Sequence, residues 1–342
     1  MSGVNITTGD IASALAGKFS ATTFSGRINK IGAPVKLPGG FAGVLDFGKF
    51  FIVTGDDGTG TKMAVAEVVD KFNTIGADLL AMVADDAVCL GAEVTSITNT
   101  LDCPKVEPKI IGNLLRGLAK YCREQKIIIA GGEIAEVGQT VNGLVWNATA
   151  IGVVEKTKII DGSRIQPGNK IIALREHGLR SNGFSLARAI LQKKFGKNWH
   201  TRNPGTNNKK TWGELLLTPS KIYHSAILNL IGRFGEKRKN DVLGIVHITG
   251  GGIGGNLPRI FHDKKLGAHF TNLWQPPAWI TELIQIGKVS TEESREVWNL
   301  GNGMLIVAAS SEAKKTVAIL KKNKIEARIA GEITKLGKIT FE

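Results

Sequence analysis

The segment Gly55-Asp56-Asp57-Gly58-Thr59-Gly60-Thr61-Lys62 gathers glycines, carboxylates, hydroxyls and an ammonium directly behind the apolar run Phe50-Phe51-Ile52-Val53. Glycines let backbone N–H groups come close to an anion. Carboxylates hold Mg2+, and a lysine neutralises phosphate. Together these residues read as a nucleotide or phosphorylated-substrate site at a strand end. The alternative is an ordinary glycine-rich turn. The segment is not a Walker A loop, because Lys62 follows Thr61 where that motif places lysine directly after the last glycine.

Three further stretches carry chemistry. Asp85-Asp86 sits among Met82, Val83, Ala87 and Val88, and adjacent carboxylates in apolar surroundings are costly to bury without a cation. Glu93 and Glu133, after Gly91-Ala92 and Gly131-Gly132, place acids where elements are expected to end. In Gly178-Leu179-Arg180-Ser181-Asn182-Gly183-Phe184-Ser185, Ser181 or Asn182 is positioned to cap the next helix, whose N–H groups suit a phosphate, with Arg180 adding charge. The run His247-Ile248-Thr249-Gly250-Gly251-Gly252-Ile253-Gly254-Gly255 satisfies GxGxxG, but no acid follows about 20 residues on to take a ribose hydroxyl. A glycine-rich anion loop fits it better. His247 taken alone is as well explained as a hydrogen-bonded strand-end histidine.

These groups need elements to hold them. Apolar spacing predicts helices over 63–75, 77–90 and 108–124, and strands over 41–53, 94–101, 126–130 and 144–154. Residues 1–20 read as weakly helical. Beyond Pro167-Gly168 the pattern gives strand-loop-helix over 171–191, helices around 221–231, 257 and 290–297, and strands over 242–249 and 304–309. Two domains are expected for 342 residues, divided into 1–165 and 166–342. The basic stretch Lys193 to Lys239, centred on RNPGTNNKK, reads as an insertion or long connection.

Composition narrows the function classes. Hydrophobic residues make up 42% and charged residues 22%, as in a soluble globular protein. No run is long enough to span a bilayer, and the polar start MSGVNITTGD has no signal-peptide core. Cys89, Cys103 and Cys122 show no zinc or CxxC spacing and read as reduced thiols, which points to the cytoplasm. The net charge of +14 raises a polyanion partner. Aromatics are not interleaved with the basic residues, however, so a lysine-rich solvated surface is preferred over nucleic-acid binding.

Taken in order, the motifs resemble the aminoimidazole ribonucleotide synthetase (phosphoribosylformylglycinamidine cyclo-ligase) family. The matching pieces are GVNITTGD, GGFAG, GDDGTGTK, NTIGADLLAMVADDAVCLGAE, GGEIAE, IGVVEKTKIIDGSRIQPGN, LRSNGFSLARAIL, LTPSKIY, HITGGGIGGNLPRI and WNLGNGM. They span nearly the whole chain. The resemblance implies an α/β architecture: an α+β N-terminal domain whose strands complete a barrel across a homodimer, and an α/β C-terminal domain. It implies ATP and Mg2+ as cofactors and a phosphorylated small-molecule substrate, formylglycinamidine ribonucleotide, cyclised to aminoimidazole ribonucleotide. Asp57 and Asp86 would then hold Mg2+ with Glu133 assisting, and Lys62 would lie by the phosphates. Catalytic roles fall to Asp57, Lys62, Asp86, Arg180 and His247. Ligand contacts fall to Gly58, Gly60, Thr61, Lys62, Gly131, Gly132, Ser181, Asn182, Gly250, Gly251 and Gly252.

Several positions depart from the family pattern. Asp56 stands for Thr, Thr59 for Val, Asp85 for Asn, Arg180 for His, and Gly255 for an acid. The Tyr-Lys pair that precedes GVDI in the family is absent before Gly3-Val4-Asn5. Arg180 or another cation is the expected substitute for that lysine, unless activity is weakened. Asp56 and Asp85 would hold an extra Mg2+ or offset Arg180. The competing readings are a related kinase or selenophosphate-synthetase-like enzyme, and a paralogue that binds ligand without turnover. The first cysteine, Cys89, lies too far along the chain for the selenophosphate branch.

Overall fold

The computed structural model describes residues 6–37, 40–205, 209–263 and 265–342. Met1–Asn5 and Gly39, parts of two family-like motifs, and residues 206–208 of the basic stretch lie outside them. The fold is mixed α/β, built on two six-stranded sheets.

The first half contains α1 (Ile6–Thr22), β1 (Ala33–Pro34), β2 (Gly43–Asp46), β3 (Phe50–Gly58), α2 (Met63–Val69), α3 (Ile75–Cys89), β4 (Glu93–Cys103), α4 (Pro108–Gln125), β5 (Ile128–Glu136) and β6 (Val145–Glu155). Its sheet runs β1-β2-β3-β6-β4-β5, antiparallel except for the β4–β5 pair. The second half contains β7 (Lys170–Arg175), α5 (Phe184–Phe195), α6 (Trp212–Leu216), α7 (His224–Ile231), β8 (Val242–His247), α8 (Gly252–Asn256), β9 (Gly267–Phe270), α9 (Ala278–Gly287), α10 (Thr291–Val297), β10 (Asn302–Ala308), α11 (Ala313–Lys322), β11 (Ala327–Thr334) and β12 (Ile339–Phe341). Its sheet runs β12-β9-β11-β7-β10-β8, with only β12–β9 parallel.

Helix α3 is the centre of the molecule. Apart from Asp78, Asp85 and Asp86 it is apolar on every side, and such a helix must be buried all round. It packs against β3, β4 and β6 of the first sheet, β8 of the second, and α4 and α7. Leu79, Leu80 and Val83 are fully buried, each stabilising the fold by about 1.5–3 kcal/mol. Its crossing with α4 is closed by two glycines. A methyl at Gly76 would lie 2.3 Å from Leu118 N, and one at Gly117 would lie 2.5 Å from Asn73 O.

Four expectations are corrected. Gly55–Gly58 is not a loop: it continues β3, with Asp57 opposite Ala148 of β6. The helix expected over 63–75 ends at Val69, because Asp70 turns left-handed (φ 54°) and its N–H closes the helix onto Ala66 and Glu67. Gly131-Gly132-Glu133 does not end its strand, since β5 runs on to Glu136 along β4. The basic stretch is not a bare connection. It contains α6, held by a Thr211/Glu214 capping box, and buries Trp199 and Trp212, so its lysines decorate a packed segment.

The two cores exchange side chains across residue 165. Phe184, Leu191, Trp212, Trp279 and Trp298 from the second half join the core of the first sheet, while Phe41, Val88 and Cys89 join the second. The three cysteines are free and buried. Among the described residues, no helix is long and apolar enough to cross a membrane.

Candidate active site

Asp57 and Asp86 are brought together by the end of β3 and the C-terminal turns of α3. Asp57 Oδ1 accepts from Gly58 N at 2.7 Å. Burial, with the Asp86 and Asp56 charges behind it, pushes its carboxyl up to about 6. Burial also lifts Asp86 to about 7, with Arg259 and Arg180 pulling the other way. Two crowded, partly desolvated carboxylates favour either a proton or a cation. This donor set fits Mg2+, which takes one or two carboxylates and completes its shell with phosphate oxygens and water.

His247, at the end of β8, places Nδ1 2.6 Å from Asp86 Oδ1. Burial, aided by the Arg180 charge, holds His247 down at about 3, so it stays neutral. With Asp86 ionised, Nδ1–H is the donor, and Nε2 is left buried without a partner. The pair orients Asp86, and a histidine this hard to protonate is a poor base at neutral pH.

Two expected ligands of the phosphates are turned inward. Lys62 is fully buried: its Nζ donates to Asp78 Oδ1 at 2.7 Å and to Thr218 O at 2.7 Å, and lies over the Phe184 ring. Arg180 is also fully buried, with Nη2 on Asp85 Oδ2 at 2.7 Å and Nη1 on Glu176 Oε2 at 3.0 Å. Neither faces an opening, so Arg180 is not placed to act as a phosphate-binding cation. Asp85 is the partner of Arg180. Asp56 is exposed on the opposite face of β3, bonded to Thr149, because successive strand residues alternate faces. Asp56 and Asp85 therefore do not share a metal.

The loops of the second half close on the first. Thr61 Oγ1 lies 3.2 Å from Ser185 Oγ, and a methyl on Gly60 would sit 3.2 Å from Ser181 O. Ser181 Oγ and Asn182 Oδ1 are buried without partners. Neither caps α5, because Gly183 is the N-cap, left-handed and with no side-chain bond. A methyl on Gly250 would lie 3.4 Å from Asn182 Nδ2. The glycine run is less of an anion cradle than expected, since Gly251 N donates to Glu296 O and Gly252 N to Thr249 O. Gly252 is needed for packing: with φ 57°, a methyl there would lie 1.7 Å from Arg295 O.

Glu133, Gly131 and Gly132 are not brought to this cluster. Cross-strand pairing runs Gly58–Asn147–Thr100–Glu133, which puts Glu133 three strands away, about 14 Å at the usual strand spacing. Among the described residues, no three Asp, Glu, His or Cys side chains converge as a metal site. Glu93 is taken by Arg233 and Phe234 N.

Residues not singled out from the sequence complete the site. Asn256 Nδ2 donates to Gly250 O and Gly252 O, and its Oδ1 accepts from Arg259. Arg259 stacks 4.1 Å over Phe41, bonds Gly40 O, and lies near enough to favour the Asp86 charge. Asp78 holds Ser220 through both N and Oγ. The Asn-Leu-Pro-Arg sequence after the glycines was the available signal for Asn256 and Arg259. For Asp78 the signal was its place, with Asp85 and Asp86, in the apolar run Ala77 to Leu90.

Models of the AIR synthase related protein family match the chain twice, the N-terminal domain over residues 39–154 and the C-terminal domain over 166–342. Among curated proteins, the phosphoribosylformylglycinamidine cyclo-ligase of Thermococcus kodakarensis is 37% identical over 302 residues, covering 88% of this chain and 85% of its own. The cyclo-ligase of Sorangium cellulosum is 36% identical over 329 residues, 92% of each chain. Among solved structures, a chain of the HypE–HypF complex superposes with TM-score 0.61 at 16% identity, covering 87% of this chain and 89% of that one. Thermotoga maritima PurL complexed with FGAR gives 0.59 at 18% identity, covering 87% and 45%. These two likenesses speak for the fold alone.

Proposed function

The chain belongs to the AIR synthase related family, and from that premise we propose that it is an ATP-dependent cyclo-ligase of purine biosynthesis. Its reaction would close formylglycinamidine ribonucleotide to aminoimidazole ribonucleotide, releasing ADP and phosphate. The γ-phosphoryl group passes to the amide oxygen, which then leaves as phosphate. The amidine nitrogen bonds to that carbon and gives up a proton. Such a transfer depends on positioning and charge neutralisation more than on covalent help.

The observation that carries this reading is the Asp57–Asp86 pair: burial desolvates both carboxyls and the Asp86 charge adds to the lift on Asp57, which favours a bound cation. Asp57 and Asp86 would hold Mg2+, which when bound would neutralise phosphate charge. His247 keeps Asp86 oriented through its 2.6 Å bond. The unpartnered Ser181 hydroxyl suits a phosphate oxygen, and the unpartnered Asn182 carbonyl suits an amidine or amine N–H. Lys62 holds the first half against Thr218 and is not assigned to phosphate. We assign residues 1–165 to metal and nucleotide binding and 166–342 to the substrate loops. We place the enzyme in the cytoplasm, where free thiols such as its three cysteines stay reduced.

We also propose a homodimer. The β5 edge is exposed along its length and carries Ile128, Ile129 and Ile134, an uncovered apolar edge of the kind that pairs. A second copy is the source we assign for the acid that Glu133 does not supply within one chain.

Incubation of the purified protein with ATP, Mg2+ and formylglycinamidine ribonucleotide tests the activity. Aminoimidazole ribonucleotide is the expected product. ATP and substrate binding without product would favour a non-catalytic paralogue instead.

A further inference from the structure

Arg180 occupies an expensive place. Its backbone is left-handed (φ 57°), a conformation L-residues rarely adopt, and its side chain is fully buried. A glycine would suit the backbone, so the side chain is what the position needs. The guanidinium reaches Asp85 at 2.7 Å, Glu176 at 3.0 Å and Lys221 O at 2.9 Å, and stacks 5.3 Å over Tyr223. Asp85 Oδ1 in turn accepts from Tyr223 N and His224 N. Glu176 accepts from His177 N, Gly178 N and Lys221 N. Asp85 directly precedes Asp86, and Arg180 directly precedes Ser181. One guanidinium thus joins the residue beside the metal-facing carboxylate to the residue beside the ligand-facing loop.

We propose that Arg180, Asp85 and Glu176 form a positioning unit that fixes Asp86 relative to Ser181 and Asn182. The inference rests on the reading of those three residues given under Proposed function. The unit touches no ligand. Its three charged members sum to a single negative charge, and both carboxylates are already anchored by backbone N–H groups. Removing Arg180 alone leaves two buried carboxylates unneutralised beside Asp57 and Asp86. Removing Arg180 and the Asp85 charge together restores the original sum. Lysine keeps the charge but lacks the planar fork that spans Asp85 and Glu176.

The test is a double-mutant cycle on the full chain with Arg180→Met, Asp85→Asn, both together, and Arg180→Lys. Binding of Mg2+ with a non-hydrolysable ATP analogue is titrated by calorimetry, beside thermal melts. Arg180→Met is expected to raise the Mg2+ needed for half-saturation at least about tenfold, and the double variant to match the worse single variant within about threefold, since the tie is already lost in each. Arg180→Lys should fall between wild type and Arg180→Met. Additive losses in the double variant would overturn the proposal. So would single variants that melt earlier yet keep the wild-type Mg2+ requirement, since that marks a purely structural tie. If Arg180→Met does not fold, a folded double variant that needs about tenfold more Mg2+ supports the unit, and one that keeps the wild-type requirement, or fails to fold as well, overturns it. A wild-type chain that binds no Mg-nucleotide would remove the site reading itself, before any variant is made.

Discussion

At the residue scale the account rests on Asp57 and Asp86. Asp57→Asn should lower Mg-ATP-dependent turnover by about two orders of magnitude or more while circular dichroism stays unchanged. Retained turnover would refute the metal assignment. The two carboxyls, raised to about 6 and about 7, also set a pH signature. Their folded values lie above the unfolded ones, so the folded chain binds more protons in that window. The metal-free fold therefore loses this stability as pH rises from about 4 to 7, and keeps it below. Mg2+ should accordingly raise the melting temperature more at pH 8 than at pH 6, which a thermal scan at the two values checks. Lys62 makes the opposite case. Lys62→Met should destabilise the fold by about 3–5 kcal/mol by stranding Asp78, measured by urea unfolding, with little direct effect on nucleotide affinity. Carboxylates crowded into apolar sequence announce themselves. An ammonium does not say whether its anion is a ligand or a residue 16 positions along the chain.

At the element scale, periodicity located α3, α4, β4 and β6 within a few residues, because their apolar patterns are long and consistent. It failed where a polar or glycine-rich segment is held by neighbours. Gly55–Gly58 looked like a loop and is strand because β6 pairs with it. Asp70 broke a helix whose pattern ran on. The glycine run before α8 was chemically suggestive, but its tightest constraint is steric. Gly252→Ala should cost about 2 kcal/mol or more, since a methyl 1.7 Å from Arg295 O cannot be accommodated at φ 57°. Chemical denaturation checks this. Gly254→Ala, with nothing within 4 Å of the new methyl, is the control expected to have little effect.

At the scale of the whole molecule, the two cores exchange side chains across residue 165. Trp212 and Trp279 pack into the first core, and α3 lies against both sheets. Asp78 and Asp85, two helical turns apart, both grip the stretch from Ser220 to His224. None of this was legible in the sequence, because side-chain burial across distant segments leaves no local pattern. The exposed β5 edge is the opposite case, an apolar surface that the proposed dimer would cover. Ile129→Lys with Ile134→Lys should convert a dimer into a monomer in sedimentation velocity. A wild-type monomer at micromolar concentration would refute the shared edge.

The central claim is that the amide oxygen of the substrate is phosphorylated and expelled. Formylglycinamidine ribonucleotide carrying heavy oxygen at that position, incubated with the enzyme, ATP and Mg2+, tests it most directly. The label should appear in the released phosphate, one atom per aminoimidazole ribonucleotide formed. Label recovered in water, or phosphate released without ring closure, would contradict the account.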